Sequence, residues 1–441
     1  MRKNKILPIF LKYTSANIFS MIGLSAYILA DTYFISRALG AYGLTALNLA
    51  IPIYSLIYGF GLMIGIGGAT KFSILSGKTQ HKQANAVYTN TFIIMVLASM
   101  LFLVMGLFFS ETIARLFGAD EVVFEMTYTY LRIILLFAPL FLLITLMTSF
   151  IRNDGAPIAA MTATLISSLS NILYDYIFII RMEMGMFGAA LATGVAAATG
   201  LVFVLLFLIT RTSSFKLIKC KLSKKTISET FSLGLPTFVS EMSVGIVIVS
   251  FNLIILGLIG NIGVAAYAVV ANISIMIITI YNGLSQGMQP LISRYYGQDQ
   301  SANVKTVVRY GFLLMAAISV ASYTLIFFGA DSIASIFNRY DDPVLNDIAS
   351  TGMRIFFISS IFAGANIVVS TFFASTANPR PAHIFSLLRG VLLIVPMAIL
   401  LSSLLGMTGV WLALPITEAT VFLLAVGMFV FHSKSKQAQA A

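Results

Sequence analysis

The chain has 441 residues, of which 59% are hydrophobic and 10% are charged, and its mean hydropathy is +0.96. Soluble globular proteins average about 45 to 50% apolar and about 25% charged residues, so this composition excludes an ordinary water-soluble enzyme. The net charge of +11 would indicate a nucleic-acid partner in a soluble protein, and its distribution along the chain decides whether it does so here.

The apolar residues occur in windows of about 20, the length that a helix needs to cross the hydrocarbon core of a bilayer. These windows are too long and too uniformly apolar for the strands of a membrane barrel, so the sequence predicts an all-α integral membrane protein. The predicted spans cover residues 13–36, 47–75, 88–109, 128–151, 158–180, 186–210, 230–256, 264–292, 310–329, 353–374, 382–405 and 409–431.

The loops between these twelve spans differ strongly in charge. The N-terminus, the loops after even-numbered spans and the C-terminus carry 20 of the 27 Lys and Arg residues. They include Arg2, Lys3, Lys5, Lys78, Lys82, Lys216, Lys219, Lys221, Lys224 and Lys225. The positive-inside rule places this side in the cytoplasm, so both termini are predicted to be cytoplasmic and the basic excess requires no nucleic acid.

The two halves of the chain resemble each other at a shift of about 220 residues. Residues 40–46 (GAYGLTA) fall on 260–266 (GNIGVAA), and residues 185–192 (GMFGAALA) match 406–413 (GMTGVWLA) one residue further along. Each half then holds six spans, with 1–215 as the N-terminal lobe and 216–441 as the C-terminal lobe. The sequence therefore predicts two parallel six-helix lobes around a central cavity, an arrangement found in transporters.

Four acidic residues lie inside apolar windows, namely Asp31, Asp175, Glu241 and Glu418. A charged side chain at the centre of a membrane helix costs about 2.5 to 3.5 kcal/mol on insertion scales, which makes each one a candidate for function. A structural carboxyl that bonds a neighbouring helix is the alternative. At the shift of 220, Asp31 falls on Phe251, so coupling chemistry is predicted to be confined to the first lobe.

Asn171 and Asp175 are four residues apart and so share one face of span 5, and Tyr27 has the same spacing from Asp31 in span 1. Thr193 offers a hydroxyl in span 6. Two carboxylates, an amide oxygen and a hydroxyl suit a small hard cation such as Na+. Two close carboxylates can instead hold a proton, and the residue types do not decide between these ions.

Three polar residues are candidates for a substrate cavity: Glu241, early in span 7 and near the junction of the halves, and Gln286 and Gln289 in span 8. Glu241 could attract a cationic substrate, whereas amides in a membrane helix often bond neighbouring helices. Arg389 is the one basic residue that the windows place well inside a span, and its role stays open, as does that of Glu418.

Neither a cofactor site nor a catalytic set is evident. Cys220 is the single cysteine and the three histidines are scattered, which excludes a disulfide framework and a zinc cluster. Gly77, Lys78 and Thr79 lack the earlier glycine of a phosphate loop. We therefore expect no cofactor, and an ion gradient as the energy source.

The order and spacing of several motifs resemble the multidrug and toxic compound extrusion (MATE) family, especially its DinF-like and MepA-like prokaryotic branches. The motifs are 171–175 (NILYD), 185–193 (GMFGAALAT), 234–236 (GLP) and 286–290 (QGMQP). The resemblance implies export of diverse, often cationic amphipathic compounds in exchange for Na+ or H+. It also implies that Asp31, Asn171, Asp175 and Thr193 form the cation site, with Tyr27 beside Asp31.

The expected protein is therefore a multi-pass antiporter of the inner (cytoplasmic) membrane, active as a monomer on small organic cations. Relatives of the NorM branch carry acids later in span 7 and in span 10, whereas span 10 here offers Asn366. A lipid-linked oligosaccharide flippase of the same superfamily is the alternative, but it needs several cationic residues in its cavity. An intramembrane aspartyl enzyme that uses Asp31 and Asp175 is the third and weakest hypothesis.

Overall fold

The computed structural model describes residues 6–211, 213–337 and 342–438, with side chains described to residue 428. Arg2, Lys3 and Lys5 and the final residues lie outside this part. The described residues form twelve helices: α1 Ile6–Gly77, α2 His81–Phe108, α3 Ser110–Leu116, α4 Phe124–Asn153, α5 Pro157–Asp175, α6 Gly185–Thr210, α7 Lys224–Gly297, α8 Ser301–Phe337, α9 Pro343–Phe356, α10 Ser359–Ser375, α11 Pro379–Leu387 and α12 Ile394–Ala438. Two π-helical segments, Tyr176–Arg181 and Leu388–Leu392, continue α5 and α11.

Eight helical stretches of the described chain are long and apolar enough to cross a membrane, or nine if the pair α9 and α10, bent by 43°, counts as one span. α1, α7 and the stretch Pro379–Met428 each contain two predicted spans, so these nine stretches hold all twelve. The bent pair also extends span 10, which begins at Pro343 and not near residue 353. The predicted all-α membrane fold is confirmed.

Sharp turns in the backbone recur at the interval of the sequence repeat. α1 bends at Gly40 and α7 bends at Gly260, with φ of 62° and 69°. Gly185 and Gly406 form a second pair, with φ of 59° and 60°. Glycine adopts this left-handed conformation without the steric cost that a Cβ would add, so conserving the glycine at both places conserves the turn. The halves therefore repeat in backbone geometry as well as in sequence.

The buried apolar side chains form two large cores. One core consists of residues between Ile35 and Phe215, and the other consists of residues between Phe251 and Ala413 together with the start of α1 at Ile6, Phe10 and Tyr13. The start of α1 thus packs against the other half of the molecule. The division at residue 215 itself stays a prediction.

The two halves approach each other closely at one end of the bundle. Loops 78–80 and 298–300 directly follow this contact, and the segment after α6 bonds the loop after α4 through Ser214 and Asp154. Because these loops adjoin most of the basic residues, we call this end the basic end. A Cβ on Gly297 would lie 2.2 Å from the carbonyl oxygen of Ile74, and one on Gly77 would lie 2.6 Å from that of Arg294. Both pairs join residues of α1 to residues of α7, and they are related by the repeat of 220. Glycine therefore allows direct backbone contact between the halves.

The segment between α6 and α7 is extended and is held along α2. The backbone N–H groups of Lys216, Ile218 and Ser223 donate to the side-chain oxygens of Asn85, Thr89 and Asn90, at 3.0, 3.0 and 2.9 Å. Phe215 inserts into the first core and packs on Tyr88 with ring centres 4.8 Å apart. The linker is therefore attached to the first half over most of its length.

Candidate cation and substrate sites

Asp31 of α1 and Asp175, the last residue of α5, are both buried inside the first half. They lie close enough that the charge of Asp31 acts on Asp175. In the described part of the chain, the Oδ1 atom of each carboxylate is buried without a hydrogen-bond partner. Buried polar atoms are nearly always paired, so two unpaired carboxylate oxygens in one region mark a place for a proton or a cation.

Asn171 lies beside Asp175, as the spacing in span 5 predicts, and Thr193 of α6 lies next to Asn171. Asn171 Nδ2 is 3.3 Å from the Thr193 hydroxyl. With the amide turned over, Nδ2 donates to Asp175 Oδ2 at 3.1 Å and the amide oxygen accepts from the Thr193 N–H at 3.3 Å. The hydrogen-bond network determines such an amide orientation, and the turned one satisfies both amide atoms. The group that Asn171 presents to Asp175 is then a nitrogen donor and not an oxygen ligand.

Three tyrosines complete this region. The hydroxyl of Tyr27 bonds that of Tyr54 at 2.7 Å, so its partner is a tyrosine of span 2. The buried Tyr130 of α4 lies within electrostatic range of both aspartates and beside Thr193. Tyr54 and Tyr130 were not predicted from the sequence, because their spacing does not distinguish them among the 18 tyrosines.

The equivalent position in the second half is apolar. Phe251 is fully buried and stacks on Tyr267, with ring centres 5.4 Å apart. The second half contains a different polar group instead. Arg389 Nε and Nη2 donate to Glu418 Oε1 at 3.0 and 2.8 Å, and Asn366 Nδ2 donates to Glu418 Oε2 at 2.7 Å. Arg389 and Glu418, whose roles the sequence left open, therefore form an ion pair between spans 11 and 12.

A cavity of about 90 Å³ lies next to the aspartate region. Tyr27, Asn171, Thr193 and Gln286 are the predicted site residues that line it, and Asp31 and Asp175 are not among its lining residues. Its other lining residues include Tyr54, Tyr58, Leu62, Phe141, Thr145, Thr148, Ser149 and Arg152. Pockets for drug-sized molecules measure about 300 to 1,000 Å³, so this cavity suits one end of such a molecule.

Polar side chains from both halves meet on the wall of this cavity, at Arg152 and Gln286, and next to it. Arg152 Nη1 donates to Gln286 Oε1 at 2.6 Å, and Gln289 Nε2 donates to the oxygens of Thr70 and Asn153 at 2.9 and 3.1 Å. Gln289 thus joins neighbouring helices, which was the alternative for an amide in span 8. Arg152 is one of the 20 basic residues that the sequence assigns to the cytoplasmic side, because it lies at the end of span 4. Its side chain is nevertheless buried.

Glu241 lies on the face of α7 that approaches α1. Its Cβ is 3.8 Å from the position that a Cβ on Gly59 would occupy, and its charge acts on Tyr58 of the cavity wall. Glu241 is therefore next to the cavity without lining it. Within the ranges that the structure describes, no group of three or more His, Cys, Asp or Glu side chains is arranged to hold a metal ion.

Comparison with known proteins agrees with this architecture. A family model described as MatE matches residues 16–177 and 236–400, two ranges that begin 220 residues apart. The chain is 27% identical over 407 residues to the multidrug export protein MepA of Staphylococcus saprophyticus, covering 92% of this chain and 89% of that protein. It is 28% identical over 409 residues to MepA of Staphylococcus haemolyticus, with the same coverage.

A solved structure, that of a MOP superfamily transporter from Pyrococcus furiosus, superposes with a TM-score of 0.90. The superposition covers 98% of this chain and 96% of that transporter, at 20% sequence identity. At that identity the similarity concerns the fold.

Proposed function

Because the chain belongs to the MatE family, whose members are transporters and not enzymes, we propose that it exports amphipathic organic cations across the cell membrane in exchange for an ion. The names of the MepA relatives support multidrug export. Membership of a transporter family leaves the intramembrane enzyme hypothesis without support. No bound cofactor is needed for this activity.

The observation that carries the proposal is the pair of unpartnered carboxylate oxygens on Asp31 and Asp175. In a low-dielectric interior two neighbouring carboxylates stay charged together only when a cation lies between them. Otherwise one of them takes up a proton. Asn171 favours the proton, because its amide nitrogen faces Asp175 and its oxygen is occupied by the Thr193 N–H. We therefore propose H+ as the coupling ion, with Na+ as the alternative at Asp31, Asn171, Asp175 and Thr193.

The remaining parts of the proposal concern the substrate and the orientation. Glu241 would attract the positive charge of a substrate to the cavity, and Gln286 would contact the substrate there, whereas Gln289 serves the contact between the halves.

The basic end would face the cytoplasm, with both termini on that side of the inner membrane, and the protein would work as a monomer. The flippase alternative is disfavoured because Arg152 is the one basic residue among the residues that line the cavity.

Dye efflux from proteoliposomes tests the coupling, with H+ and Na+ gradients imposed separately. We expect wild-type efflux to follow the H+ gradient, and Asp31→Asn and Asp175→Asn to reduce gradient-driven efflux to the level of empty liposomes. Asp347→Asn, at an exposed acid of α9, is the matched control and should behave as wild type. Wild-type rates in both buried-site variants would contradict the coupling assignment, and efflux that follows Na+ alone would exclude H+.

A further inference from the structure

Arg152 is a buried cation that the proposed export of cations does not use. It lies in the last turn of α4, its side chain belongs to a residue that is 7% exposed, and it lines the cavity. An arginine in a cavity for cationic substrates should repel them. Its presence therefore requires either an internal partner that neutralises it or a different role.

No acidic side chain of the described residues neutralises Arg152. Arg152 is in none of the ion pairs found among these residues, which join Lys71 with Glu229, Arg115 with Glu111, Arg354 with Asp331, and Arg389 with Glu418. The comparison with Arg389 is informative, because that second arginine inside a span has its carboxylate partner. A buried guanidinium without a counter-ion is unfavourable, so Arg152 is in an environment that would gain from an anion.

The guanidinium also has unused hydrogen-bonding capacity. It carries five N–H donors in a fixed plane, and in the described part of the chain its one hydrogen bond goes from Nη1 to Gln286. Its Nε is buried without a partner. A carboxylate accepts two parallel hydrogen bonds from an arginine, a geometry that a lysine or a neutral side chain does not reproduce.

The walls around Arg152 indicate what carries such a carboxylate. Tyr54, Tyr58 and Phe141 offer aromatic surface, and Thr148 and Ser149 offer hydroxyl groups about one turn before Arg152 on the same helix. This combination suits an aromatic ring system with a polar substituent at one end. We propose that Arg152 is a specificity-determining residue of this cavity, which binds the carboxylate of an aromatic amphipathic substrate and so favours it over an ester of the same compound. This inference rests on the proposed export function and extends it.

Two dyes that differ in one group test the proposal. Rhodamine 110 carries a free carboxylate, and rhodamine 123 is its methyl ester. Binding of each to the full-length protein in phosphatidylcholine nanodiscs is measured by fluorescence anisotropy. We expect Arg152→Gln to weaken the binding of rhodamine 110 and to strengthen that of rhodamine 123, so that the ratio of the two dissociation constants changes about tenfold or more. A purely structural role would move both constants in the same direction.

Arg115→Gln is the matched control, because it removes an exposed arginine of α3 outside the cavity and keeps the guanidinium of Arg152. The ratio of the dissociation constants should be retained in this variant. Should Arg152→Gln fail to fold, Gln286→Glu places a fixed carboxylate on Arg152 and should abolish the preference for rhodamine 110. A ratio unchanged in Arg152→Gln or in Gln286→Glu, or lost equally in Arg115→Gln, would overturn the proposal.

Different results would contradict the proposed export function and the proposed role of Arg152. A wild-type protein that does not export rhodamine 123 from vesicles contradicts the proposed function. Export of rhodamine 123 without any effect of Arg152 on the preference between the dyes contradicts this inference alone.

Discussion

Single charged residues inside the membrane divide into those that the protein neutralises internally and those that it leaves unpaired. Glu418 has Arg389 and Asn366 as partners, whereas Asp31 and Asp175 each keep an oxygen without one. The paired group needs no ligand, since its charge is balanced within the second half. The unpaired carboxylates are therefore expected to serve transport, and the paired carboxylate is expected to stabilise the folded protein.

The ion pair of the second half gives a prediction about stability. Arg389→Met leaves the carboxylate of Glu418 buried without its cation, and breaking a buried pair in this way costs about 3 to 5 kcal/mol. We expect a clear fall in the melting temperature of the purified protein in detergent. The melting temperature is measured by a fluorescence assay that does not use the thiol of Cys220. The double variant with Glu418→Gln should recover much of the loss, because no unpaired charge then remains.

The control for this prediction is the exposed pair of Arg115 and Glu111, 3.2 Å apart with side chains more than half exposed. Glu111→Gln should change stability by less than about 1 kcal/mol, as surface ion pairs do. Equal melting temperatures for Arg389→Met and Glu111→Gln would contradict the role assigned to the buried pair.

How far the site could be predicted depends on the type of residue. Asp31 and Asp175 stand out because charge is rare in the spans, and the spacing of four places Asn171 on the face of Asp175. Arg152 could not be recognised as buried, since it lies at the end of a span where arginine normally faces the cytoplasm. Tyr130 could not be recognised either, because only the packing of α4 against α1 and α6 brings it to the aspartates.

At the scale of helices, the contact between α1 and α7 relies on glycine. A Cβ on Gly297 would lie 2.2 Å from the Ile74 carbonyl oxygen, so Gly297→Ala must push the two halves apart at the basic end. Overpacking of this kind costs about 1 to 3 kcal/mol. We expect Gly297→Ala to lower the melting temperature and to slow transport, because the closed contact becomes harder to form.

Gly245→Ala provides a matched comparison in the same helix. Nothing lies within 4 Å of the position that its Cβ would take, and alanine is the better helix former by about 1 kcal/mol. This variant should be as stable as wild type or more so. A Gly297→Ala protein as stable as the Gly245→Ala protein would show that the halves do not need this contact.

The repeat of the two halves was visible in the sequence because glycine turns leave a fixed spacing. Gly40 with Gly260 and Gly185 with Gly406 mark the same turns in both halves. The π-helical segments after Asp175 and around Arg389 were not predictable, since they depend on hydrogen bonds within the span and not on a residue pattern. Such segments often occur at functional sites, and here each adjoins a charged residue.

At the scale of the whole molecule, the proposed orientation predicts which loops can be reached from outside the cell. In a Cys220→Ser background, Lys221→Cys lies in the exposed linker at the basic end, and Glu121→Cys lies in the exposed turn before α4. A membrane-impermeant maleimide applied to intact cells should label Glu121→Cys only. Lys221→Cys should react after the cells are permeabilised, and the reverse pattern would contradict the orientation.

The linker along α2 limits how the halves can be connected in space. Lys216, Ile218 and Ser223 are bonded to α2, and α7 begins at Lys224. The free tether between the linker and α7 is therefore about one residue long, or about 3.5 Å of chain. Exchange of halves between two copies of a chain requires a tether long enough to span them. This protein is therefore expected to resist domain swapping, so that each chain closes on its own second half even when crowded in a bilayer.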